Sequence, residues 1–160
     1  MSNNKYLLVI LLLSVVIHFA FFGHPKETVF DEVHFGKFVS SYFTGEYFFD
    51  IHPPLGKLMI AGIAKLSGFK PGFSFQNIGQ EYQDNQYKFL RFAPSLFGAL
   101  LPLIIFLILL QLKIEPKTAF IGSLFIVFEN ALIVQSRFIL MDSMMLFFGF
   151  TSILFFLRKN

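Results

Sequence analysis

The sequence predicts an all-α integral membrane protein with about four transmembrane helices and two amphipathic interfacial helices in its first outer loop. Three observations carry that expectation. The chain is 55% hydrophobic and only 14% charged, whereas soluble domains carry about 25% charged residues. Its apolar residues gather in four runs, each approaching the roughly 20 residues that cross about 30 Å of hydrocarbon. Its basic residues sit at the ends of those runs, where membrane flanks belong.

The runs are 6–22, 92–112, 119–134 and 138–157. A cleaved signal peptide is the competing reading of the first. That run outlasts a typical signal core, and the stretch from His18 to His24 holds no small-x-small cleavage site, so a retained span is expected. Lys5, Lys113, Lys117, Arg158 and Lys159 all fall on one side if the N-terminus is cytoplasmic, as the positive-inside rule asks. The loop 23–91 and the turn near Gln135 to Asp142 then lie outside.

Composition also excludes. The absence of Cys removes disulfide and thiolate chemistry. The net charge of +3 sits in membrane flanks rather than in a patch, so no nucleic-acid partner is expected.

An outer loop of this length is expected to be functional. One helix is expected to open at Thr28, with Asp31 completing a capping-box pattern and Phe35, Phe38, Val39 and Tyr42 as its apolar stripe. A second follows His52-Pro53-Pro54, because proline suits a first helical turn. Leu55, Leu58, Met59, Gly62 and Leu66 share one of its faces, Lys57 and Lys65 are placed to snorkel, and Gly68 ends it. Both helices are too short to span and suit the membrane surface.

Several polar groups need explaining. Asp31 and Glu32 read either as first-turn acids favoured by the helix dipole or as a carboxylate base held at the membrane surface. His34 and His52 match no metal-ligand spacing with these acids, so no metal is expected. Arg91 either snorkels to headgroups or supplies a fixed guanidinium for a lipid phosphate. Glu129, Asn130, Gln135, Arg137 and Asp142 lie within or beside apolar runs, where ionisable groups are costly and commonly functional. A Glu129–Arg137 or Arg137–Asp142 pair joining two helices is the plainer reading. The topology puts this cluster on the same side as Asp31 and Arg91, which points to one outer site at membrane level.

The segments Phe30–Phe38 (FDEVHFGKF), Tyr47–Leu58 (YFFDIHPPLGKL), Tyr87–Phe92 (YKFLRF) with Gly98, and Glu129–Asp142 (ENALIVQSRFILMD) closely resemble, in order and spacing, the protein O-mannosyltransferases. The match covers nearly the whole chain. The resemblance implies residues 1–160 as the N-terminal part of a type C glycosyltransferase fold. It implies transfer of mannose from a polyprenyl-phosphate mannose to Ser or Thr hydroxyls of translocated proteins. Asp31 matches the family's proposed base, with Glu32 beside it. Arg91 matches an arginine important for activity, and His52 lies in the His-Pro-Pro motif. Donor or substrate contacts are assigned to Arg91, Arg137, His52, Glu129 and Asp142.

The chemistry agrees. A single inverting displacement needs one carboxylate base; the leaving group is already a phosphate, so no paired acid is required, unlike in a two-carboxylate hydrolase. Cations such as Arg91 or Arg137 would stabilise its charge. No cofactor is expected. The expected partners are the lipid-linked donor, the acceptor polypeptide, the bilayer and a second subunit in a homo- or heterodimer. Family members are larger, so the chain is expected to be a catalytically incomplete fragment or truncation. A related transferase acting on a lipid or envelope polymer, and a non-enzymatic membrane subunit, are the alternatives. The short N-terminus leans toward a prokaryotic plasma membrane, with the endoplasmic reticulum membrane as the eukaryotic counterpart.

Overall fold

The computed structural model describes residues 2–159. Among them it contains seven helices and one isolated β-bridge. They are α1 (Asn3–Phe19), α2 (Glu32–Thr44), α3 (Leu55–Leu66), α4 (Tyr87–Gln111), α5 (Pro116–Val127), α6 (Asn130–Ser136) and α7 (Asp142–Lys159). Helix α4 is the centre: α1, α3, α5, α6 and α7 all pack against it. Small polar side chains join the helices, as is common where lipid offers no hydrophobic drive to associate. Ser95 Oγ donates to the Ser136 carbonyl at 3.0 Å, and Ser143 Oγ to the Pro94 carbonyl at 2.9 Å.

The four apolar runs, each expected to supply about one span, form helices of unequal length and continuity. Among the described residues only α4 is by itself long and apolar enough to cross a membrane. Helix α1 is apolar but has 17 residues, and α7 carries Asp142, Arg158 and Lys159 at its ends. The third run is broken, α5 and α6 meeting at 55°. The break has a local cause. Glu129 turns extended and its side chain accepts from the Leu132 N–H at 2.6 Å, capping a new helix. The fourth run becomes helical only at Asp142, because the Ile139 N–H is spent on the Glu32 carboxylate at 2.9 Å.

Two apolar clusters follow. One gathers α2, α3 and the N-terminal half of α4 around Phe35, Val39, Ile60, Phe75, Tyr82, Leu90 and Ile139. The other joins α1, α5 and the far half of α4 around Ile10, Phe106 and Val127.

Helices α2 and α3 form where expected but not as expected. Thr28 is buried and caps nothing. Its N–H and hydroxyl both go to the Gln80 carbonyl, at 2.9 and 3.2 Å, in the strap that ties residues 26–28 to 79–82. Helix α2 buries Phe35 and Val39, as its stripe requires. On α3 the faces are reversed. Lys57, Ile60, Ala61 and Ala64 are buried, while Leu55, Leu58 and Leu66 face outward. Gly68, at φ +81°, follows the helix end in the left-handed conformation expected of it.

Candidate functional site

The site is built on the turn that precedes α2. Phe30 sits at φ +49°, a conformation that costs a bulky residue energy. That turn is closed by the Glu32 N–H to the Val29 carbonyl at 3.0 Å. Glu32 closes it a second time, its Oε2 accepting from the Val29 N–H at 2.9 Å. Asp31 thereby stands at the N-cap of α2, half-buried. Its side chain makes no cap hydrogen bond and joins no ion pair. A carboxylate held by a strained turn, with its oxygens uncommitted, is free to accept a proton from a bound molecule.

Glu32 and Arg91 face each other instead of facing outward, and both are 0% exposed. Arg91 Nε reaches Glu32 Oε1 at 2.8 Å and Nη2 reaches Oε2 at 2.7 Å, the two-pronged geometry a guanidinium and a carboxylate favour. Nη1 donates to the Pro25 carbonyl at 2.8 Å, and Nη2 also to that of Glu27 at 2.9 Å. Glu32 accepts further from Ile139 N–H and, at 3.3 Å, from the Tyr82 hydroxyl. The guanidinium lies over Tyr82, Tyr87 and Phe138, 4.8–5.4 Å from their ring centres. Burial, and then the Glu32 charge, push the Tyr82 hydroxyl well above the usual phenol range, so it stays a donor. A buried ion pair holds only where its remaining hydrogen-bonding capacity is met, and here nearly all of it is. The Arg91 guanidinium, expected either to snorkel or to serve a lipid phosphate, is here committed to Glu32 and to the Pro25 and Glu27 carbonyls. Sequence order could not show that 59 residues of separation close into one contact.

The remaining expected residues are dispersed. Glu129 caps α6 and Asp142 opens α7; both are exposed. Neither pairs with Arg137, whose Nη2 donates to the Ile17 carbonyl in α1 and whose buried Nε makes no hydrogen bond. The Arg137 region still reaches the site through the next two residues, by the Phe138 ring and the Ile139 N–H.

His52 belongs to a second cluster. Its Nδ1 contacts Asp50 Oδ1 at 2.9 Å and its backbone N–H the same oxygen at 3.2 Å. Lys57 Nζ donates to Asp50 Oδ2 and, at 3.0 Å, to the His52 carbonyl. Lys57 is thus buried as a counter-ion and does not snorkel. Asp50 and Lys57 are the residues that sequence reasoning missed. Their signal was present, since Lys57 shares its face with Ile60, Ala61 and Ala64. Burial alone would raise the Asp50 carboxyl, but the bonds from Lys57 and His52 prevail and lower it to about 2. A group held below its ordinary value stabilises the fold above that ordinary value, near 3.8, and the contribution fades as pH falls through the folded one. The stability that this cluster contributes in nanodiscs should therefore be present at pH 5 and be lost progressively between pH 4 and 2, read as a fall in melting temperature that Asp50→Asn makes smaller. A fall of the same size in Asp50→Asn would show that the cluster contributes nothing.

The comparisons with known proteins agree with this frame. Residues 8–160 match the model of the family "Dolichyl-phosphate-mannose-protein mannosyltransferase". The chain is 42% identical over 140 residues to dolichyl-phosphate-mannose–protein mannosyltransferase 4 of Schizosaccharomyces pombe, covering 86% of this chain and 18% of that protein. It is 42% identical over 123 residues to protein O-mannosyltransferase 1 of Drosophila melanogaster, covering 76% and 14%. The solved structure of the Saccharomyces cerevisiae Pmt1–Pmt2 complex bound to the sugar donor superposes with a TM-score of 0.93 at 33% identity, over 98% of this chain and 22% of that one. The chain thus spans less than a quarter of each of these proteins. All of them are eukaryotic, so they lend no support to a prokaryotic plasma membrane. On the family match and these identities, the chain belongs to the dolichyl-phosphate-mannose–protein mannosyltransferase family.

Proposed function

We propose that the chain is the part of a membrane mannosyltransferase that carries its catalytic base, and that Asp31 is that base. The observation that carries this reading is the uncommitted Asp31 carboxylate beside a fully engaged Glu32–Arg91 pair. The donor is dolichyl-phosphate mannose and the acceptor a protein, in keeping with the family name, and the accepting group in this reading is a Ser or Thr hydroxyl. Asp31 takes the hydroxyl proton as the oxygen attacks the anomeric carbon. The bond from that carbon to the phosphate oxygen breaks, dolichyl phosphate leaves with the electron pair, and the configuration inverts. The leaving group is already a good one, so the reading requires no metal or cofactor.

Glu32 and Arg91 position the Asp31 turn. Arg137, with an N–H still unpaired, is the cation we assign to the departing phosphate. His52, Glu129 and Asp142 are left as outer contacts of donor or acceptor. Helices α1, α4, the bent α5–α6 pair and α7 cross the membrane, with residues 23–91 on the side away from the cytosol. In a eukaryotic cell that side is the lumen of the endoplasmic reticulum. Segments beyond these 160 residues complete the donor pocket, and assembly as a homo- or heterodimer is part of the reading.

The complete enzyme in membranes, given dolichyl-phosphate mannose, should mannosylate a Ser/Thr peptide with inversion. Activity confined to lipid acceptors would overturn the protein-acceptor reading and favour a related transferase.

A further inference from the structure

Residues 46–51 link α2 to α3 outside any helix or strand, with Ile51 entering a bend, and their backbone N–H and C=O groups make no backbone hydrogen bond. Their side chains alternate as in a strand. Tyr47, Phe49 and Ile51 are 93%, 76% and 83% exposed; Phe48 and Asp50 turn inward. Phe48 stacks on Phe38 and meets Tyr42, at 5.0 and 5.2 Å between ring centres. Four residues later the His52 ring packs on Phe35 at 5.4 Å. The segment therefore runs back along α2, from its C-terminal half toward the end capped by Asp31. Phe35 lies four residues, about 6 Å along the helix axis, from Asp31. A cavity of about 540 Å³ opens beside the segment, lined by Tyr42, Tyr47, Phe49 and His52 among others. Asp50, tied to Lys57 and His52, pins the end nearer Asp31.

Unpaired backbone N–H and C=O groups on an exposed segment are a ready template for pairing with another chain. We propose that residues 46–51 are the docking edge for the acceptor polypeptide, which adds to them as an extended strand and so delivers its hydroxyl to Asp31. The inference rests on the protein-acceptor reading above. Strand addition draws affinity from main-chain hydrogen bonds, with side-chain selectivity only at alternate positions. Such a site suits a transferase whose acceptors share a hydroxyl and little else. The geometry sets a polarity: the paired acceptor residues lie on one side of the reactive Ser or Thr, beginning about two positions away.

The test uses the complete enzyme in membranes and acceptor peptides N-methylated at one backbone amide at a time. Methylation at alternate positions, about two to six residues to one side of the hydroxyl, should raise KM by about tenfold, the weight of one lost hydrogen bond, with kcat little changed. Methylation on the other side should be tolerated. Uniform tolerance within twofold at every position overturns the docking edge while leaving the transfer reading intact. No transfer to the unmethylated peptide overturns both. These 160 residues contain no Cys, so Phe49→Cys supplies a second readout. Labelling by a water-soluble maleimide should be slowed by acceptor peptide. A thiol that never labels, because another part of the enzyme covers it, or that labels only with a lipid-soluble reagent, overturns the proposal.

Discussion

Replacing Asp31 with Asn in the complete enzyme is expected to lower mannosyl transfer by about 10²- to 10⁴-fold, the usual contribution of a positioned general base. Asn keeps the size and shape of the side chain and loses only the ability to take a proton. The Asp31 carboxylate makes no cap hydrogen bond and no ion pair, so the substitution breaks nothing that holds the turn. Membrane insertion and thermal stability should therefore match the wild type. Single-turnover transfer, measured beside enzyme content and melting temperature, separates the two effects. Asp31→Glu restores a carboxylate displaced by one methylene and should recover part of the rate. Transfer by Asp31→Asn at wild-type rate would remove this residue from the chemistry.

Arg91→Met should cost about 3–5 kcal/mol of stability, because removing one partner of a buried pair strands the other charge. Glu32 would keep the N–H groups of Val29 and Ile139 and the Tyr82 hydroxyl, but no cation. The Pro25 and Glu27 carbonyls would also lose their donor. The double variant Glu32→Leu with Arg91→Met removes both charges and should be less damaged than the two single losses added together. Thermal unfolding in detergent provides the measurement. A loss below about 1 kcal/mol for Arg91→Met would mean that the pair is not what anchors the strained Phe30–Asp31 turn. The double variant also tests role: if the pair only positions Asp31, regained stability should bring back some transfer.

Much of this was legible in the chain and some of it was not. The apolar runs located α1, α4, α5 and α7, and the resemblance picked out Asp31, Glu32 and Arg91. What those three do depends on orientation. The capping-box pattern assigned Thr28 to α2, yet a strand-like strap with Gln80 claimed it. Local spacing cannot see a competitor 52 residues away. The faces of α3 were ambiguous for a related reason. Leu55, Leu58, Gly62 and Leu66 form one apolar stripe; Ile60, Ala61 and Ala64 form another that includes Lys57. A charge normally argues for exposure, and Asp50, buried beside it, reverses that argument.

By itself the sequence determined that the chain is helical, that its apolar runs suit a membrane, and which residues are chemically unusual. Those properties follow from composition, periodicity and spacing, which are local. The tertiary structure decided that Glu32 and Arg91 close on each other while Asp31 stays open, and that Lys57 lies inside. It also decided that Glu129 breaks the third apolar run and that Ile139, in the fourth, gives up its N–H to a distant carboxylate. Buried polar groups must find partners wherever the fold brings them, and that pairing is settled between elements rather than along any one of them.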